Sequence, residues 1–132
     1  ENSHTEDYRQ EVLNLVNAQR AKYGLTALEM GDDDLTAAAQ TRAEEIAVVN
    51  SHVRPDGSKC FTVLKDYGVT DTPTGENAAW GSVSPEEVVN AWMNSEGHRA
   101  NILNPEARKM SVGYYYNSNS TWGHQWIQIF TK

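Results

Sequence analysis

The chain reads as an α+β domain, with helical patterns first and strand patterns last. Three observations predict this. Apolar residues recur at helical spacing along the first half, and Ser84-Pro85-Glu86-Glu87 is a helix-start signal. After Lys109 the pattern switches to strict alternation, as in a half-buried strand.

The elements follow in order. From Thr5 to Tyr23 the set Val12, Leu13, Val16 and Tyr23 keeps a helical period, and Gly24 stands at the stop. Asp32 to Asn50 predicts a second helix, with three Asp residues at its electropositive start. Its Leu35, Ala38, Ala39, Ala43, Ile46 and Ala47 form a narrow face that suits close packing. Ser58 to Tyr67 predicts a short third helix ended by Gly68. The fourth starts at Ser84 and turns Val88, Val89, Trp92 and Met93 inward. Gly97, unfavourable inside a helix by about 1 kcal/mol, predicts a bend that presents His98. Met110, Val112, Tyr114 and Tyr116 predict a strand, Asn117 to Thr121 a turn, and Trp126 to Phe130 the returning strand. A strand around Glu76 to Trp80 joins this hairpin.

A chain of 132 residues fits one domain that buries roughly two-thirds of its unfolded surface. Residues 5–132 are expected to form that domain, and residues 1–4 to be a linker remnant from which any secretion signal has been removed. Net charge of −7 argues against nucleic acid or an anionic membrane as partner. The longest apolar runs fall far short of the ~20 residues that span a bilayer, so no membrane insertion is expected. Cys60 is the single cysteine, which excludes an internal disulfide, and its apolar neighbours predict a buried thiol.

Three segments place a His or Glu beside turn-forming residues: Ser51-His52 with Pro55-Asp56-Gly57, Gly75-Glu76-Asn77, and Gly97-His98-Arg99. Two His and one Glu are the ligand set of many zinc sites. More than twenty residues separate each from the next, so spacing leaves both a shared site and three structural residues open. Trp80, Trp92, Trp122 and Trp126 are expected in the core and the wall of a cleft. Of Tyr114, Tyr115 and Tyr116, at least one ring must face solvent, and His124 is not expected to be a ligand.

The ordered set resembles the bacterial branch of the CAP superfamily (cysteine-rich secretory proteins, antigen 5 and pathogenesis-related 1 proteins), whose members carry SCP domains. The likeness runs from Val16-Asn17-Ala18-Gln19-Arg20 through Arg42-Ala43, the three segments above, Trp92 with Ser95, Asn101-Ile102-Leu103 and Gly113-Tyr114 to Phe130. It implies a three-layer α-β-α sandwich with a central antiparallel sheet, in a secreted protein. It also implies a cleft able to hold a divalent metal such as zinc, with His52, Glu76 and His98 as ligands and Ser95, Asn77 and Arg99 around them. Plant and animal members of the superfamily place an acid where this chain has Ser95, and Glu96 would point about 100° away on a continuous helix.

Three functions are expected from this. The first is a secreted binding module for an extracellular ligand or macromolecule, monomeric by default, whose metal is not needed for folding. The second is a zinc-dependent hydrolase with Glu76 as general base. The third is an interaction domain in which the three residues only hydrogen-bond. The missing acid at Ser95 favours the binding module.

Overall fold

The computed structural model describes residues 3–49, 51–120 and 122–132. Helix α1 (Ser3–Lys22) begins inside the stretch expected to be a linker, while Glu1 and Asn2 lie outside the described residues. It ends as expected: Gly24 takes a φ of 72°, and the Leu25 amide bonds back to the Arg20 carbonyl at 3.0 Å. Val12, Leu13 and Val16 are buried, but Tyr23 is 60% exposed. Tyr23 lies past the last helical residue, so helical spacing no longer sets its direction.

Strand β1 (Glu29–Met30) was not legible, because two residues carry no alternation. Helix α2 (Asp33–Ile46) is capped by Asp32, which accepts from the Leu35 amide at 3.0 Å. It stops at Ile46, short of the expected Asn50, which lies outside the described residues. Helix α3 is only Thr62–Asp66, because the chain before it is drawn into a small bridge between Val53 and Lys59. Strand β2 (Pro73–Trp80) leads to helix α4 (Pro85–Met93), where Ser84 Oγ accepts from the Glu87 amide as the start signal requires. Helix α5 (Glu96–Ile102), strand β3 (Lys109–Tyr116) and strand β4 (His124–Thr131) complete the fold.

One expectation about α5 is corrected. The chain breaks at Asn94 and Ser95, with Ser95 extended (φ −113°, ψ 123°), and Gly97 lies inside α5. Ser95 and Glu96 therefore do not share a continuous helix, and their 100° separation does not apply.

The sheet order is β1-β3-β4-β2. β4 is antiparallel to both β3 and β2, and only the two-residue β1 runs parallel to β3. Trp126 and Phe130 face a cluster with Val12, Val16, Val88 and Trp92, while Ile127 and Ile129 face Leu35, Ala39, Ala43 and Val63. Helices thus cover both faces, and the α-β-α sandwich is as expected. Trp80, Trp92 and Trp126 each bury the ring nitrogen against a backbone carbonyl, of Ile46, Ala78 and Ser82. Trp122 departs from expectation and is 57% exposed. No described helix is long and apolar enough to cross a membrane.

β2 is an edge strand, which would leave a row of unpaired backbone groups. Two side chains close part of it: Trp92 Nε1 donates to the Ala78 carbonyl at 3.1 Å, and Asn101 Nδ2 to the Glu76 carbonyl at 3.4 Å. α5 is thereby tied along that edge.

Candidate functional site

The site is built around the Gly75-Glu76-Asn77 segment of β2, and each residue has a separate task. A Cβ at Gly75 would lie 2.6 Å from the Asn101 amide oxygen, so glycine lets α5 approach. Asn77 is fully buried; its Nδ2 donates to the His98 carbonyl and to Gln128, and its Oδ1 accepts from Asn101 at 2.9 Å. Arg20, also buried, holds the far end of α5 by donating to the carbonyls of Ile102 and Asn104. His98 is thus carried on a helix fixed at both ends.

Glu76 points to the opposite face of β2, toward α2. Its carboxylate is met by a buried fork: Arg42 Nε to Oε2 at 2.8 Å and Arg42 Nη2 to Oε1 at 3.1 Å. The two side chains are 0% and 1% exposed. A buried charge is tolerable only when paired, and here the pair is bidentate. His52 Nδ1 lies 2.7 Å from Oε1, and its ring reaches out to solvent at 56% exposure. Arg42 continues outward to Glu45 and the Ser51 carbonyl, and Glu45 is in turn forked by Arg54.

These contacts set the protonation states. Burial alone would raise the Glu76 carboxyl, but hydrogen bonds from His52 and Arg42 outweigh it and hold it low. The hydrogen bond to Glu76 raises His52 above the ordinary histidine range, against the effect of burial. Burial, and then the charge of His52, holds His98 below that range. Burial pushes the Cys60 thiol up to about 11, so it is a protonated, inert thiol, as expected from its neighbours.

Two titrations follow. Between the two histidines, His52 should carry its proton to higher pH than His98, and Glu76→Gln should bring His52 back down; imidazole NMR from mildly acid to mildly alkaline pH reads both. Equal titration of the two rings would contradict this geometry. Stability follows the same shifts. Glu76, held low, stabilises the fold above the unfolded carboxylate range near about 4.3, and that contribution is lost as pH falls through its folded value. His52, held high, contributes below about 6.5 and loses this as pH rises through its folded value, while His98 acts with the opposite sign.

The structure brings His52 and Glu76 into contact, while α5 carries His98 close enough for the His52 charge to act on it. One donor atom each from His52, Cys60 and Glu76 lies within 4.8 Å of the others, a group to which His98 does not belong. Nitrogen, sulfur and oxygen donors suit zinc. Glu76 does not fit as a ligand, because the Arg42 fork engages both of its oxygens and would put a guanidinium beside a divalent ion. What fits is His52 as ligand through its outer nitrogen, with Glu76 behind it as the carboxylate that fixes the ring. Ser95 sits at the start of α5 without a side-chain capping bond, and Arg99 donates to the Met93 carbonyl at the α4–α5 corner. His124 bonds Tyr114 at the other end of the sheet, away from this group.

Arg42 carries the site, yet its role was not read from the sequence. The signal was present: a lone arginine on the face of Ala38, Ala39, Ala43 and Ile46 demands a buried anion. A separate cavity of about 530 Å³ lies between α3 and β2, lined by Phe61, Leu64, Val69 and Pro73 and by none of these residues.

A sandwich with helices on both faces, an edge strand carrying Gly-Glu-Asn and two flanking histidines defines an SCP-type domain. Residues 13–130 match the cysteine-rich secretory protein (CAP) family, and the chain belongs to it. Among relatives, it is 42% identical over 122 residues to the uncharacterized protein YkwD of Bacillus subtilis, covering 91% of this chain and 47% of that one. It is 33% identical to the uncharacterized membrane protein YlbC of the same organism, over 83% of this chain and 33% of that one. The chain therefore spans less than half the length of these relatives. Among solved structures it resembles an extracellular SCP-domain protein of Bacillus anthracis, with a TM-score of 0.84 and 25% identity, covering 97% of this chain and 41% of that one. It also resembles an outer surface protein of Borrelia burgdorferi, with a TM-score of 0.75 and 25% identity over 93% and 90% of the two chains.

Proposed function

We propose that this domain is a secreted bacterial binding module whose site at the free edge of β2 takes a divalent metal or a small ligand through His52. The observation that carries this is the 2.7 Å contact from His52 Nδ1 to a carboxylate already neutralised by Arg42. It directs the other ring nitrogen outward, as the partners of metal-bound histidines do. His98, kept neutral by burial, is the second donor. The metal is not needed for folding, since Arg42 satisfies Glu76 without it. Secretion is supported by the extracellular and outer-surface relatives.

Zinc titration calorimetry on the intact domain tests this. Binding is expected at neutral pH and should weaken in mild acid, because protons compete for the same imidazoles. His52→Ala should abolish it. Glu76→Gln should weaken it by about 10–100-fold, the effect of losing an orienting partner. Equal affinity at both pH values, or binding that survives His52→Ala with His98→Ala, sinks the proposal. With zinc added, casein and ester substrates should show no turnover above the His98→Ala protein. Turnover lost in both Glu76→Gln and His98→Ala would make the domain a hydrolase instead.

A further inference from the structure

The opposite end of the sheet carries a second constellation, independent of the β2 site. A ladder of rings climbs out of the core there. Buried Trp126 packs on Tyr114 with centroids 4.5 Å apart, and on Tyr8 at 5.6 Å. Tyr114 Oη lies 2.6 Å from His124 Nδ1, and the His124 ring lies 4.8 Å from that of Tyr116. Tyr116 ends the ladder at 55% exposure. Trp122, exposed to a similar degree, comes to the same end: it approaches Gly81, whose amide bonds the His124 carbonyl at 2.8 Å.

This end is built rather than loose. Gly123, with a φ of 74°, brings the backbone against the Tyr116 ring, where an added Cβ would lie 3.3 Å away. Asn117 Oδ1 accepts from the Asn119 amide, and Ser120 Oγ bonds the Asn117 carbonyl and the Gly123 amide. Among the described residues, the aromatic faces therefore stand beside turn residues that hydrogen-bond one another and offer amides and hydroxyls.

Charge decides what such a surface takes. Charged residues make up 22% of the chain, yet Met110 to Thr131 contains no Asp, Glu, Lys or Arg. A charged partner would find no countercharge on this hairpin. A protein interface core needs contiguous apolar area, whereas here Asn117, Ser118, Asn119 and Ser120 lie in the chain between the two exposed rings. A neutral sugar supplies what remains. Its flat C–H face suits the electron-rich face of a ring, and its hydroxyls suit amide and hydroxyl partners. We propose that Tyr116, Trp122 and His124 form a subsite for a neutral oligosaccharide.

The test uses the intact domain with two neutral probes, the β-1,4-linked hexamers of N-acetylglucosamine and of glucose, followed by calorimetry and amide NMR. Saturable shifts are expected at Tyr116, Trp122 and His124 with at least one probe, and none at His52. Trp122→Ala and Tyr116→Leu should each lower affinity about tenfold or more, with amide dispersion retained, while His52→Ala should leave it unchanged. Affinity should also be the same at low and high salt, because no ion pair forms. No saturable shift with either hexamer up to about 10 mM, a limit well past useful affinity, overturns the subsite. So does binding that is indifferent to both ring substitutions, or that shifts His52 instead.

Discussion

Arg42→Met is expected to destabilise the fold by about 3–5 kcal/mol, the range for stranding one member of a buried ion pair. Both side chains are essentially inaccessible, so the Glu76 carboxylate would lose its fork with no water to replace it. Urea unfolding of the two proteins measures this directly. Loss of Arg42 also removes a positive charge that holds His52 down, so the His52 pKa should rise further in the variant. Replacing both partners, as Arg42→Met with Glu76→Leu, should restore much of the stability, because an apolar pair leaves no orphan charge. A loss below about 1 kcal/mol in the single variant would mean that Glu76 regains water, and the assignment of Arg42 as its support would fall.

Gly113→Ala should cost about 3 kcal/mol or more, at the upper end of overpacking effects. An added Cβ would lie 2.1 Å from the Ala39 carbonyl oxygen and 2.8 Å from Gln40 Cα, both backbone atoms of α2. A flexible side chain could swing aside; a helix backbone can move only as a unit, taking Arg42 with it. The same substitution at Gly97 should have the opposite sign. Nothing lies within 4 Å of its Cβ position and its φ is not positive, so Ala should stabilise α5 by about 0.4–1 kcal/mol. Thermal unfolding of the two variants against the parent decides both. A tolerated Gly113→Ala would mean that α2 does not pack as closely as the structure shows.

The contrast between these two glycines shows what a sequence can carry. Gly97 was legible as unusual in a helical context, and that prompted a bend which the structure puts two residues earlier, at Ser95. Gly113 sits in a strand pattern and gives no local sign of the helix backbone lying on it. Likewise the alternation of β3 and the capping of α4 were readable, since both rest on contacts within a few residues. The two-residue β1 and the early end of α2 were not, because pairing and packing with distant segments decide them.

By itself the sequence determined the α+β class, the stop of α1 at Gly24, the capped starts of α2 and α4, the buried state of Cys60 and the candidate trio of His52, Glu76 and His98. All of these follow from periodicity, capping chemistry or an ordered set of motifs. The contacts made by that trio came only from the tertiary structure. Only folding lays Arg42 of α2 against Glu76 of the edge strand, making that carboxylate an orienting partner for His52. It also ties the His98 carbonyl to Asn77 of β2, and exposes Trp122 while burying the other three indoles more deeply. The physical reason is that desolvation and charge pairing depend on which atoms share a buried volume. Residues such as Arg42 and Glu76, 34 apart in the chain, meet there only through packing.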